Sequence, residues 1–169
     1  MESVHRARIA MVGVGNPLVG DDGAGAEVIR SLEARWASDR RVLLCTLEGD
    51  LLGIADRLEE AERFLFVDAV AGSEPGEIVR DPAVPRAYAP SFHQTDVGTV
   101  MRHLEALGVA DPFPPWEIWG IVIAPPRELR QALTPAVAEA VDRLSELLSR
   151  RIETELSRVR DGRGTDRTD

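Results

Sequence analysis

Met11-Val-Gly-Val-Gly-Asn-Pro-Leu-Val-Gly-Asp-Asp-Gly-Ala-Gly25 opens as an apolar run and breaks at Gly13, Gly15, Asn16 and Pro17. It then delivers two adjacent carboxylates, Asp21 and Asp22, to the start of a helix. A strand that turns through glycines into a helix usually handles a phosphate, because the first N–H groups of a helix and its macrodipole favour an anion. Two acids at that place repel one. A dinucleotide fingerprint needs a third glycine three residues after the second, and that position is Leu18. A P-loop needs a lysine, and all 20 basic residues are arginine. The acids therefore call for another purpose.

Outward from this unit, hydrophobic periodicity lays out alternating strands and helices. Arg8 to Val14 reads as a buried strand, and Ala24, Val28, Leu32 and Trp36 recur every four residues along the helix that follows. Arg41 to Leu47 is a second strand. Asp50 then caps a helix with Leu51, Ile54, Ala55 and Leu58 inside. Arg63 to Val67 is a third strand, with Asp68 at its C-terminal end. After a Gly- and Pro-containing turn, Glu77 to Arg80 forms a short strand, too close behind the third for a crossover helix and hence antiparallel. Pro82, Pro85 and Pro90 mark an irregular connection that ends at His93. A helix from about Thr95 stops at Gly108, and Trp116 to Ala124 is the last strand. Thr134-Pro135 is an N-cap with proline at the first helical position, and Val137, Val141, Leu144, Leu148 and Ile152 line the final helix.

This order predicts the α/β class: a single domain over residues 1–156 and a disordered polar tail over 157–169. The expected sheet is mostly parallel, five-stranded and twisted, with helices on both faces and one short antiparallel strand. Right-handed crossovers restrict the topology strongly; with the first strand central, the second and third lie on either side of it and a crevice opens at the C-terminal ends of the first and third.

Composition narrows the partners. A hydrophobic content of 44% over 169 residues is enough for a sizeable core. A formal charge of −9 argues against nucleic acid or an anionic membrane as partner. No apolar run approaches the ~18 residues of a membrane span, and the N-terminus lacks the apolar segment of a signal peptide. The single cysteine, Cys45, lies in an apolar strand and reads as a core thiol, so the expected location is cytoplasmic.

The crevice collects the chemistry. One acid of the Asp21-Asp22 pair is explained as an N-cap, which leaves the other to point into the crevice. Asp68 comes beside this loop in the expected sheet order. His93 is the one histidine on a loop at this edge, since His5 belongs to the N-terminal segment and His103 to the polar side of a helix. Two carboxylates and an imidazole make a hard-to-borderline donor set that suits a divalent ion such as nickel or zinc, and three protein ligands leave coordination positions open. There is no His-Glu-x-x-His, and Ser91 beside His93 does not make a catalytic triad. Glu48, ending the second strand, mimics the ribose-binding acid of a dinucleotide fold and keeps a nucleotide-binding α/β enzyme as an alternative.

The segment Gly13 to Gly25 resembles the N-terminal signature of the [NiFe]-hydrogenase maturation endopeptidases. Phe66-Val-Asp-Ala-Val70 resembles that family's second motif, Ser91-Phe-His93 its third, and the layout is similar from Arg8 to Leu148. The resemblance implies an endopeptidase that removes a short C-terminal extension from the hydrogenase large-subunit precursor once nickel has been inserted. It implies Asp22, Asp68 and His93 as metal contacts; Asp21 beside them is a further candidate catalytic residue. Nickel then arrives with the precursor, and the resting enzyme, without cysteine ligands, is metal-empty. Two routes to hydrolysis stay open: a metal-bound water of lowered pKa, or Asp21 or Asp22 as general base while the metal reports the state of the substrate. A non-catalytic nickel-docking chaperone with the same trio is a further alternative. Many family members carry an Asp-Gly-Gly-Thr-like segment after the second strand. Here the chain reads Leu47-Glu48-Gly49-Asp50, which leaves open the class of hydrogenase served.

Overall fold

Ile9–Val14 (β1) contains no polar side chain, and all six residues are buried. A strand that shows neither face to water must lie inside a sheet covered on both sides. The computed structural model describes residues 6–81, 96–125 and 132–161, and in it β1 has that place. A 3₁₀ turn (Gly20–Gly23), α1 (Ala24–Trp36), β2 (Val42–Leu47) and a 3₁₀ helix (Leu51–Arg57) follow β1. Then come β3 (Phe64–Ala71), β4 (Ile78–Arg80), α2 (Val97–Ala106), β5 (Trp116–Ile123) and α3 (Pro135–Asp161).

The sheet order is β2-β1-β3-β5-β4. β1 pairs parallel with β2 from Ile9↔Val42 to Val14↔Leu47, and parallel with β3 as far as Gly13↔Val67. β3 and β5 are parallel, and the short β4 is antiparallel to β5. The α/β class, the place of the first strand between the second and third, and the antiparallel short strand are as the sequence predicts. Alternation along the strands builds two cores. Ile9, Met11, Leu65, Val67 and Ile121 pack under α1 and α3. Ala10, Val12, Phe64, Phe66 and Ile118 pack under α2 and the 3₁₀ helix. No helix among the described residues is long and apolar enough to cross a membrane.

Three boundaries differ from expectation. β3 does not stop at Val67. It loses β1 there but keeps β5 as a neighbour through Ala71↔Ile123, so Asp68 lies within a strand at the point where one partner ends. Asp50 does cap a helix, accepting from Leu52 N–H at 3.0 Å, but that helix is 3₁₀. It is short and carries Gly53, a poor α-helix former. The third departure is at the C-terminus, where α3 continues to Asp161, so the tail predicted from Ser157 is helical over its first residues. Leu156 is still in the core there, and Ser157 Oγ donates to the Glu153 carbonyl at 2.8 Å. Residues 162–169, and the proline-rich connection with His93, lie outside the described residues.

α1 sits directly on backbone. A Cβ on Gly25 would stand 2.3 Å from the Val14 carbonyl oxygen and 2.4 Å from that of Val67, and a Cβ on Gly13 would stand 2.4 Å from the Gly25 oxygen. Neither strand can retreat without breaking its ladder. Gly25→Ala is therefore expected to destabilise the fold by about 3 kcal/mol, as forced overpacking does. Urea unfolding measures this, and a midpoint equal to wild type would refute the contact.

Candidate active site

The loop after β1 doubles back on itself. Gly15 has φ +126, and a Cβ there would lie 1.9 Å from the Asp22 carbonyl oxygen. Only glycine takes that conformation without strain. The fold-back lets Asn16 N–H donate to Asp22 Oδ2 at 2.9 Å, while Asn16 Oδ1 accepts from Leu18 N–H at 2.9 Å in an Asx turn. Asp22 is thereby held over the gap between β1 and β3. Asp21 turns the other way. Its Oδ1 accepts from Thr134 N–H at 2.6 Å and its Oδ2 from Thr134 Oγ1 at 3.0 Å, at the start of α3.

This corrects the expectation that one of the two acids caps its own helix. Gly23, at the N-cap of α1, offers no side-chain cap, and the 3₁₀ turn has none either. Both carboxylates are drawn to stronger claims, one to the loop amide of Asn16 and the other to the exposed N–H of a different helix.

Asp68 shares a strand face with Phe64 and Phe66, the face covered by α2. The residue as a whole is half-buried, and the crowding falls on its carboxyl. Burial is the main cause that lifts it to about 7. The Ala69 N–H pulls it down, and the charges of Asp22 and Asp96 push it further up. Asp96 caps α2, accepting from Thr99 N–H at 2.8 Å and from Thr99 Oγ1 at 2.7 Å. Burial disfavours the charge on Asp96, but the Thr99 hydrogen bonds outweigh it and leave its carboxyl below the ordinary value. The crevice thus sets a carboxyl that keeps its proton to near neutrality against neighbouring acids. Such a group exchanges protons at physiological pH or gives way to a cation.

The structure brings Asp22 and Asp68 into one crevice and turns Asp21 onto α3. His93 lies outside the described residues, and among those described no three His, Cys, Asp or Glu side chains are grouped closely enough to hold a metal. The donor chemistry fits a cation, because acids that oppose one another in a buried place are relieved by positive charge. Glu48 is exposed beyond the end of the edge strand β2, and His103 is exposed on α2. Burial pushes the Cys45 thiol up while Arg57 works against it, as fits a core thiol.

Sequence reading missed the roles of Asn16 and Asp96, and it read Thr134 as an N-cap without its pairing to Asp21. Asp96 carried a local signal, an acid one residue before an apolar helical run. The Asp21–Thr134 pairing carried none, since its partners are 113 residues apart.

A carboxyl whose folded pKa is raised binds its proton more tightly in the folded chain than in the unfolded one. Its contribution to stability is present in full below the unfolded value of 3.8 and is lost as pH rises towards about 7. The difference in unfolding free energy between wild type and Asp68→Asn should therefore shift in favour of the variant as pH rises from 4 to 7, and level off above. Chemical denaturation at several pH values tests this, and a pH-independent difference would refute it.

No protein-family profile matches the chain. The hydrogenase expression/formation protein HupD of Bradyrhizobium diazoefficiens is 33% identical to it over 157 residues, which covers 82% of this chain and 79% of that protein. HupD of Thiocapsa roseopersicina is 31% identical over 158 residues, covering 82% and 68%. Among solved structures, the hydrogenase maturating endopeptidase HybD from E. coli superposes with a TM-score of 0.66 at 24% identity, over 87% of this chain and 93% of that one. The [NiFe] hydrogenase maturation protease HycI from Thermococcus kodakarensis superposes with a TM-score of 0.62, also at 24% identity, over 86% and 92%. With the likeness to HupD carried on this fold, the chain belongs to the family of hydrogenase maturation proteins that includes HupD.

Proposed function

We propose that this protein is the endopeptidase that removes the C-terminal extension from the precursor of the nickel-loaded [NiFe]-hydrogenase large subunit. The meeting of Asp22 and Asp68 at the β1–β3 switch point, in a chain akin to HupD, is the observation that carries the reading. The relatives HybD and HycI, described as maturation proteases, support the same chemistry.

Nickel belongs to the substrate in this reading. The precursor presents its inserted metal to Asp22 and Asp68, with His93 as third contact, and the open coordination positions stay with the precursor. Contact between cargo and crevice makes cutting conditional on loading. The proton held by Asp68 is displaced when the cation docks, so docking releases a proton and weakens at low pH. Hydrolysis adds water across the scissile bond, with the oxygen going to the carbonyl carbon and a proton to the leaving amine. The proton lost by the attacking water passes to a crevice carboxylate, Asp22 being the better candidate because Asp21 is engaged with Thr134. The lone half-buried thiol and the acidic surface support a cytoplasmic reaction on a protein substrate, without membrane or nucleic acid.

The test is incubation with nickel-loaded and nickel-free cognate precursor, followed by mass spectrometry of the products. Release of the C-terminal peptide from the loaded form alone is expected. Stoichiometric nickel binding with no cleavage would replace the endopeptidase by a docking chaperone. Asp22→Asn, Asp68→Asn and His93→Ala are each expected to lower the rate by about 100-fold or more, with far-UV circular dichroism unchanged. Full activity in all three would sink the proposed site.

A further inference from the structure

Asp21 is the residue in the opening loop that the cleavage reading leaves without a task. Both of its oxygens are engaged by one residue, Thr134, through the backbone N–H at 2.6 Å and the hydroxyl at 3.0 Å. Thr134 begins α3, and its carbonyl accepts from Ala138 N–H at 2.9 Å. The first amides of a helix lack partners within it, and the positive end of the macrodipole favours a carboxylate. Asp21 therefore caps α3 from another element.

The post it is tied to is packed into the core. Val137, Ala140, Leu144, Leu148 and Ile152 of α3 are all 0% exposed. The loop it steadies is less well held. Leu18 is 64% exposed. The 3₁₀ turn is anchored to the preceding loop by Asn16 N–H on Asp22 Oδ2 and by Asp22 N–H on the Val19 carbonyl at 3.3 Å. Asp21 and Asp22 are consecutive in a turn of four residues. A backbone shift that carries Asp22 across the crevice pulls on the Asp21–Thr134 contact.

We propose that Thr134 is a positioning residue for peptide cleavage, acting through Asp21 to fix where the Asp22 carboxylate stands. The proposal rests on the endopeptidase reading of the crevice. It assigns the two adjacent acids different work: Asp22 meets the substrate, and Asp21 clamps the turn that carries it.

Five variants, four single and one double, assayed on nickel-loaded precursor test this. Thr134→Val keeps the N–H and the shape but removes the hydroxyl, and should lower kcat about tenfold with KM unchanged. Asp21→Ala removes both bonds and should cost about 10- to 100-fold in kcat, the scale set by misplacing a reacting group. Thr134→Ser and Asp21→Asn restore the clamp, the asparagine by accepting from the Thr134 N–H and donating to its hydroxyl, and each should recover most of the rate. The double variant Asp21→Ala/Thr134→Val should be no worse than Asp21→Ala alone, because both act on one contact. Amide hydrogen exchange at Thr134, which needs no substrate, should accelerate in Asp21→Ala. An Asp21→Asn as inactive as Asp22→Asn would overturn the proposal by making Asp21 a direct participant. So would a full-rate Thr134→Val, or losses that add in the double variant. A wild type that cuts no precursor would overturn the endopeptidase reading instead, with the exchange result still reporting on the clamp.

Discussion

The carbonyl oxygens of Val14 and Val67 stand where a side chain on Gly25 would have to begin, and the functional end of the molecule depends on that crowding. α1 starts astride the gap between β1 and β3 at van der Waals contact with both backbones. The turn that leads into it must then lie over the same gap. In a parallel sheet this is the place where connections depart to opposite faces and leave a crevice. Here α1 returns over one face, and the chain after β3 goes on to α2 on the other. The glycines of the opening loop therefore serve the approach of backbone to backbone, a requirement unrelated to phosphate. That explains how a loop on a nucleotide-binding plan can end in two acids.

Electrostatics separates this end of the sheet from the other. Glu117, near the start of β5, is only 7% exposed, yet Arg80 pairs with it and Arg151 lies 3.7 Å away. Arg63, Arg151 and Arg158 likewise gather around Glu155. The buried Glu117 and the half-buried Glu155 have guanidinium groups beside them, as a structural ion network requires. Among the described residues no arginine pairs with Asp22 or Asp68. Burial does the most to lift Asp68, and neighbouring acids add to it. Acids crowded together with no arginine paired to them among the described residues are suited to take up a proton or a cation.

The two adjacent acids show how one local motif is divided by tertiary structure. Consecutive residues in a 3₁₀ turn point about a third of a turn apart. At the edge of the sheet that angle is enough to send Asp21 towards the α3 layer and Asp22 over the crevice. One acid joins two layers and the other faces the space between two strands. Neither serves the helix it precedes.

Much of the architecture was legible in the sequence. Strand and helix positions follow from periodicity, a local property of the chain, and the interior place of β1 follows from six residues without a polar side chain. The gathering of Asp22 and Asp68 at one edge follows from the handedness of crossovers, which leaves few sheet orders to choose from. What failed was decided at a distance. The length of β3 depends on β5, which shelters it beyond Val67. The end of α3 depends on a core contact at Leu156 that composition does not reveal. Asp96 and Thr134 acquire their places by lying opposite Asp68 and Asp21. By itself the sequence determined the elements, their order and the acids at the switch point, because these rest on patterning and chain handedness. Only the tertiary structure decided which acid faces the crevice and which holds α3, because that choice is made by hydrogen-bond partners 113 residues away.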